Sequence, residues 1–131
     1  MAKFVFALID DDEEDHDIFR MAIDSLTAGQ EIEVVSFLSA GDAISRFTVD
    51  HSFTPDFIFI DLNMPKMDGH ECARELRKLN QLQRSQLCIY TTSPNMGAPN
   101  ADRFEADRVI CKPHSLNHLS KTLEDLINHS M

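Results

Sequence analysis

The amino-acid sequence predicts an α/β fold: a five-stranded parallel sheet, order 2-1-3-4-5, doubly wound with helices on both faces. Two observations support this prediction. Strand-like apolar runs alternate with segments of helical periodicity, as is typical of parallel sheets. The run Phe57–Ile60 is apolar at consecutive positions, as expected of a central strand buried on both faces. Right-handed crossovers then favour this strand order over others.

Five apolar runs are predicted to be the strands. In chain order they are Phe4–Ile9, Ile32–Phe37, Phe57–Ile60, Leu87–Tyr90 and Val109–Cys111. Hydrophobic residues spaced three and four apart predict helices after the first, second, third and fifth runs. The first helix has Asp12 as its predicted N-cap, the second has Ser39 and the last has Ser115. Residues 13–15 are acidic, as the positive end of a helix dipole favours.

The segment between the fourth and fifth strands has a weaker pattern. Pro94, Gly97 and Pro99 stand where a helix is expected, and residues of these types interrupt helices. We therefore predict a short or irregular fourth helix, near residues 100–104.

Composition narrows the classes of function. The 131 residues suit one domain, so we expect a single domain over 1–131 with no output domain. With 12 basic against 22 acidic residues, the net charge of -10 disfavours nucleic acid and suits cations and basic partners. No apolar run reaches the roughly 20 residues of a membrane span, and no signal peptide is evident. A cytoplasmic protein is expected.

The cysteine pattern argues against a disulfide framework and against a zinc site. The three cysteines are Cys72, Cys88 and Cys111, an odd number without a C-x-x-C spacing. Cys88 and Cys111 lie in predicted strands, so we expect them to be reduced and buried. The six histidines have no metal-ligand spacing either, and we expect them at the surface.

Polar side chains end four of the predicted strands. Asp10 and Asp11 follow the first, Asp61 the third, Thr91 the fourth and Lys112 the fifth. These strands are neighbours in the predicted order, and ligands bind at the carboxyl edge of such sheets. Carboxylates suit Mg²⁺, a lysine and a hydroxyl can bind phosphoryl oxygens, and a carboxylate can form an acyl phosphate. The sequence therefore predicts a site for Mg²⁺ and phosphoryl transfer.

With these residues, and with D-x-x-M-P-x-M-D-G from Asp61 to Gly69, the chain resembles the receiver domains of two-component response regulators along nearly its whole length. The chemotaxis-type stand-alone receiver, with its flavodoxin-like fold, is the best-known example. The resemblance implies that Asp61 accepts a phosphoryl group from a sensor histidine kinase. It implies a Mg²⁺ site made by Asp10, Asp11, Asp61 and the backbone carbonyl of Asn63.

The resemblance also implies the remaining roles. Thr91 would hydrogen-bond the phosphoryl group, Lys112 would pair with it, and Pro65 and Gly69 would shape the loop. The protein would be a phosphorylation-activated switch whose chemistry is self-catalysed phosphorylation and dephosphorylation, not metabolic catalysis. Its output would be binding of a downstream protein, with a homodimer as a further possibility.

Three alternatives are considered at this stage. A phosphorelay intermediate would pass the phosphoryl group to a histidine phosphotransfer protein, and the sequence does not separate it from a terminal switch. A Mg²⁺-dependent phosphatase of the haloacid dehalogenase type would need an Asp two residues after the nucleophile, where this chain has Asn63. A flavodoxin-like FMN carrier would need a Ser/Thr/Gly-rich loop after strand one, where this chain is acidic.

The chain departs from the receiver pattern at Val109, where the family commonly carries an aromatic residue, and in the segment interrupted by Gly97 and Pro99. Val109 cannot act as an aromatic rotamer switch. We therefore expect the phosphorylation chemistry to be intact and the signal to be read through another face or through loop 93–104.

Overall fold

The structure, a computed structural model, describes residues 3–26, 31–62, 64–67, 69–92, 106–113 and 115–129. Five parallel strands form one sheet, ordered β2-β1-β3-β4-β5. The strands are β1 (Lys3–Ile9), β2 (Glu31–Phe37), β3 (Phe57–Ile60), β4 (Gln86–Thr91) and β5 (Arg108–Cys111). The predicted fold class is confirmed.

Four helices are described, together with one 3₁₀ turn that the sequence did not predict. They are α1 (Glu13–Asp24), α2 (Ala40–Val49), α3 (Gly69–Arg77) and α4 (Leu116–His129), with the 3₁₀ turn at Asn80–Leu82. The predicted short fourth helix and loop 93–104 lie outside the described residues. Among those that are described, no helix is both long and apolar enough to span a bilayer.

The three predicted N-caps are confirmed. The Asp12 side chain accepts from the Glu14 backbone N–H at 2.9 Å, and Ser39 Oγ accepts from the N–H of Asp42 at 3.0 Å. Ser115 Oγ accepts from the His118 N–H at 3.2 Å. Each bond satisfies a donor that the first helical turn leaves without a partner, so these short polar residues determine where helices begin.

Two apolar layers enclose the sheet because successive strand residues point to opposite faces. Phe6 of β1 and Phe59 of β3 face α1 and α4, where they pack with Phe19. Ile9 and Ile60 face α2 and α3 on the other side. The three central strands are buried on both faces, and this packing holds their carboxyl ends next to one another.

The expectation for Cys111 was wrong, and Arg77 makes contacts that the sequence does not indicate. Cys88 is buried as predicted, whereas Cys111 is exposed because β5 is an edge strand with only one strand neighbour. The Arg77 side chain is 19% exposed. Its Nη2 donates to Asp107 at 2.6 Å, and its Nη1 donates to the carbonyls of Leu82 (3.0 Å) and Ser85 (3.2 Å).

The Arg77 network should be important for stability. Arg77→Met is expected to lower the free energy of unfolding by about 2–4 kcal/mol, because two carbonyls and the Asp107 carboxylate lose a charged donor. Lys78→Met is the matched control. Its partner Glu75 is 42% exposed and Lys78 itself 63%, so a loss under about 0.5 kcal/mol is expected. Urea titration followed by circular dichroism measures both, and equal losses would contradict the assignment.

Candidate functional site

The carboxyl ends of β1 and β3 place two acids side by side. The Asp10 backbone N–H donates to the carbonyl of Phe37 at 3.1 Å, and that of Asp61 donates to Ile9 at 2.9 Å. These bonds continue the sheet by one residue past each strand. The two backbones are therefore fixed where the side chains leave the sheet, and the predicted convergence of Asp10 and Asp61 is confirmed by the geometry.

Asp11 completes a group of three carboxylates. One oxygen each from Asp10, Asp11 and Asp61 lies within 4.8 Å of the others. Asp10 is fully buried, Asp61 is 7% exposed and Asp11 is exposed. Oxygen ligands that converge beside solvent fit a hard cation such as Mg²⁺, which keeps several waters. These three residues could hold such an ion. Asn63, the fourth predicted ligand, lies outside the described residues.

A single ammonium group joins the acids. Lys112 Nζ lies 2.9 Å from Asp10 Oδ2, 2.7 Å from Asp15 Oδ2 and 3.7 Å from Asp61 Oδ1. The Lys112 side chain is only 10% exposed, so solvent screens these attractions weakly. Its backbone N–H donates to the carbonyl of Thr91 at 2.8 Å, which ties the residue to the end of β4.

Burial and the ion pairs shift the pKa values in the site. Burial raises the pKa of Asp10 to about 6, against the lowering effect of its hydrogen bond from Lys112. The negative charge of Asp61 adds to the increase. Burial alone would lower the pKa of Lys112, but its hydrogen bonds with Asp10 and Asp15 raise it above the usual value. Lys112 is therefore charged at neutral pH. For Asp10, burial makes the ionised carboxylate less stable than it would be in water.

The structure places Thr91 at the carboxyl end of β4, fully buried. The following residue, Thr92, lines a cleft of about 900 Å³ together with Asp61 and Lys112. The sequence singled out only the first of these hydroxyls. Tyr90 lies beneath the cleft, with its ring centroid 5.2 Å from Lys112 Nζ.

Gly69 is required where the loop after Asp61 returns to the sheet. Its N–H donates to the carbonyl of Leu62 at 3.0 Å. A Cβ at this position would lie 2.6 Å from the Asp61 carbonyl oxygen and 2.9 Å from the Cα of Leu62. Both are backbone atoms that cannot rotate away. The glycine therefore allows α3 to begin directly against the backbone of the predicted phosphoacceptor.

Two residues at the site were not predicted. Asp15 was assigned only to the helix dipole, yet it is the nearest carboxylate to Lys112. His16 was expected at the surface but is 5% exposed; its Nε2 lies 2.7 Å from the Asp10 carbonyl oxygen, and its Nδ1 has no partner among the described residues. Helical spacing carried the signal for His16, which lies three residues before buried Phe19.

The Gly69 contact predicts a sharp difference between two helical glycines. Gly69→Ala is expected to lower the free energy of unfolding by about 1–3 kcal/mol, because the methyl group must displace backbone at Asp61. Gly41→Ala in α2 is the matched control. Its Cβ would meet only Ser39 Oγ at 3.9 Å, and alanine favours a helix by up to about 1 kcal/mol over glycine. Urea unfolding of both variants tests this, and a neutral Gly69→Ala would contradict it.

The raised pKa of Asp10 predicts a pH-dependent stability in metal-free protein. The folded state binds the proton of the Asp10 carboxyl group more tightly than the unfolded chain does. Binding of this proton therefore stabilises the fold below about pH 4, and the stabilisation is lost as the pH rises through about 6. Asp10→Asn should therefore raise the free energy of unfolding at about pH 7 by about 1–3 kcal/mol, and by little at low pH.

Asp50→Asn provides a control of opposite sign. The hydrogen bond from Ser52 lowers the pKa of Asp50, so this carboxylate stabilises the fold at neutral pH and loses that effect as the pH falls. Thermal unfolding of the variants across pH measures both trends. An Asp10→Asn variant less stable than wild type at every pH would contradict the prediction.

Comparisons with known proteins identify the family of this chain. The family described as the response regulator receiver domain matches residues 8–124. The sensor histidine kinase CheAY of Helicobacter pylori is 29% identical over 133 residues, which cover 94% of this chain and 15% of that protein. An uncharacterized response regulatory protein of Vibrio cholerae is 32% identical over 95 residues, covering 72% of this chain and 34% of that protein. The chain thus spans about a third or less of these relatives.

A solved structure shares both fold and sequence similarity. The chemotaxis protein CheY4 of Vibrio cholerae matches with a TM-score of 0.70 and 27% identity, over 95% of this chain and 98% of that one. The family match covers nearly all of the chain and includes Asp10, Asp61 and Lys112. This protein belongs to the response regulator receiver domain family of two-component signalling systems.

Proposed function

We propose that this receiver domain is a phosphorylation-activated switch that takes a phosphoryl group onto Asp61 from a sensor histidine kinase. The observation that carries the proposal is the cluster of three carboxylates with one buried ammonium at the carboxyl edge of the sheet. Asp61 is the candidate acceptor because it follows β3 beside Asp10 and lines the cleft together with Lys112 and Thr92.

The transfer needs little besides position and charge. A carboxylate oxygen of Asp61 attacks the phosphorus atom, and the bond from phosphorus to the donor nitrogen or oxygen breaks. The electron pair leaves with the donor, and an acyl phosphate remains on Asp61. The Lys112 ammonium, 3.7 Å from Asp61, is near enough to pair with the new phosphoryl oxygens, and Thr91 is proposed to donate a hydrogen bond to them.

Asp10, Asp11 and Asp61 would hold Mg²⁺, with the Asn63 carbonyl as a proposed fourth protein ligand. A magnesium ion there would offset the charge of the carboxylates and of the incoming phosphoryl group. The donor set supports this assignment because it is all oxygen and partly open to solvent. The chain's own residues supply the remaining positioning.

The output is proposed to be binding of a downstream protein, directly or after homodimer formation. Addition of a phosphoryl group changes the charge of a cleft already lined by acids, and this biases a two-state element that partners recognise. Both phosphorylation from small donors and hydrolysis are proposed to be self-catalysed, without a metabolic substrate. Val109 is partly buried and packs against the apolar layer of α2 and α3. Partners are therefore proposed to recognise the phosphorylated state without an aromatic switch at this position.

Intact-mass spectrometry after incubation with acetyl phosphate tests the proposal. One phosphoryl adduct is expected on wild type with Mg²⁺, and none is expected with chelator or on Asp61→Asn. Asp42→Asn, an exposed acid in the first turn of α2, is the control and should be phosphorylated normally. An adduct that persists on Asp61→Asn would place the acceptor elsewhere. No adduct from acetyl phosphate or from a histidine kinase would reject the proposed chemistry.

A further inference from the structure

The roles proposed for Asp10, Asp11 and Asp61 do not explain the contact that Asp15 makes with Lys112. Its Oδ2 is 2.7 Å from Lys112 Nζ, closer than either Asp10 or Asp61. The Asp15 side chain is 28% exposed, so the pair is partly shielded from solvent. The contact joins the first turn of α1 to the residue after β5, which lies 97 positions away in the sequence.

The arrangement contains a conflict over Asp10. Its Oδ2 accepts from Lys112 at 2.9 Å, and its carboxylate is also one of the three that could hold the cation. A cation that binds Asp10 competes with the ammonium group for the charge of this carboxylate, and the two cations repel each other. An ammonium group that leaves its only partner in a buried site would be strongly destabilised. Lys112 has a second partner in Asp15.

We propose that Asp15 is a positioning residue that anchors the Lys112 ammonium group when Mg²⁺ takes Asp10. The inference rests on the proposed Mg²⁺ site and deepens it. With Asp15 present, Lys112 gives up its hydrogen bond with Asp10, keeps the one with Asp15 and stays beside Asp61, where the phosphoryl group arrives. Without Asp15, Lys112 competes directly with Mg²⁺ for Asp10.

A general effect of negative charge is separable from this specific contact. Glu14 precedes Asp15 in the same helical turn and lines the same cleft. Its side chain carries the same charge, but Lys112 donates to Asp15 and Asp10 among the described residues. Glu14→Gln therefore removes one charge from the cleft and leaves the Lys112 contacts in place, which makes it the matched control for Asp15→Asn.

Isothermal titration with Mg²⁺ alone, without phosphodonor, measures the effect. Asp15→Asn is expected to weaken Mg²⁺ binding about five- to tenfold, and Glu14→Gln less than about twofold, since contacting charged groups couple more strongly than screened ones. Urea unfolding confirms that each variant is folded. Lys112→Met should tighten Mg²⁺ binding, because the competitor for Asp10 is gone.

The double variant Asp15→Asn with Lys112→Met decides whether Asp15 acts through Lys112. In the methionine background, the effect of Asp15→Asn should shrink to that of Glu14→Gln. An Asp15→Asn effect no larger than that of Glu14→Gln, or one undiminished without Lys112, would overturn the inference while leaving the Mg²⁺ site standing. A wild-type protein that binds no Mg²⁺ would instead overturn the proposed metal site, and the inference with it.

Discussion

The site depends on one buried ammonium group. Asp10 and Asp61 follow neighbouring strands at the carboxyl edge of the sheet, where both side chains are largely buried and their carboxylates repel each other. Lys112 offsets this repulsion by lying within 4 Å of both and of Asp15. The balance is incomplete, because the carboxylates of Asp10, Asp11, Asp15 and Asp61 outnumber this ammonium group. The cleft therefore retains an excess of negative charge that a divalent cation can relieve.

The sheet makes this cluster possible because it is rigid on both sides. Aromatic packing of Phe6, Phe19 and Phe59 fills one layer, and aliphatic side chains together with Phe37 and Phe47 fill the other. The backbone bonds of Asp10 and Asp61 extend that rigidity one residue beyond the strands. Burial of the carboxylates lowers the stability of the fold, and the hydrophobic core offsets this loss, as is common at functional sites.

Some site residues were visible in the sequence and others were not, for a physical reason. Asp10, Asp61 and Lys112 each follow an apolar strand directly, so strand order alone brings them together. Asp15 and His16 belong to a helix, where the partner of a side chain depends on how the helix packs against the sheet. The helix dipole is enough to explain an acid in a first helical turn. The sequence therefore provided no reason to expect the contact of Asp15 with Lys112.

The sequence by itself determined the fold class, the strand order, the helix N-caps and the acids and lysine at the sheet edge, because these follow from local periodicity and connection rules. Tertiary structure decided the rest. It left Cys111 exposed on an edge strand, brought Arg77 into contact with Asp107 and added Asp15 to the carboxylate partners of Lys112. Such contacts and exposures depend on distances between residues that are far apart in the chain, and the local sequence pattern does not indicate these distances.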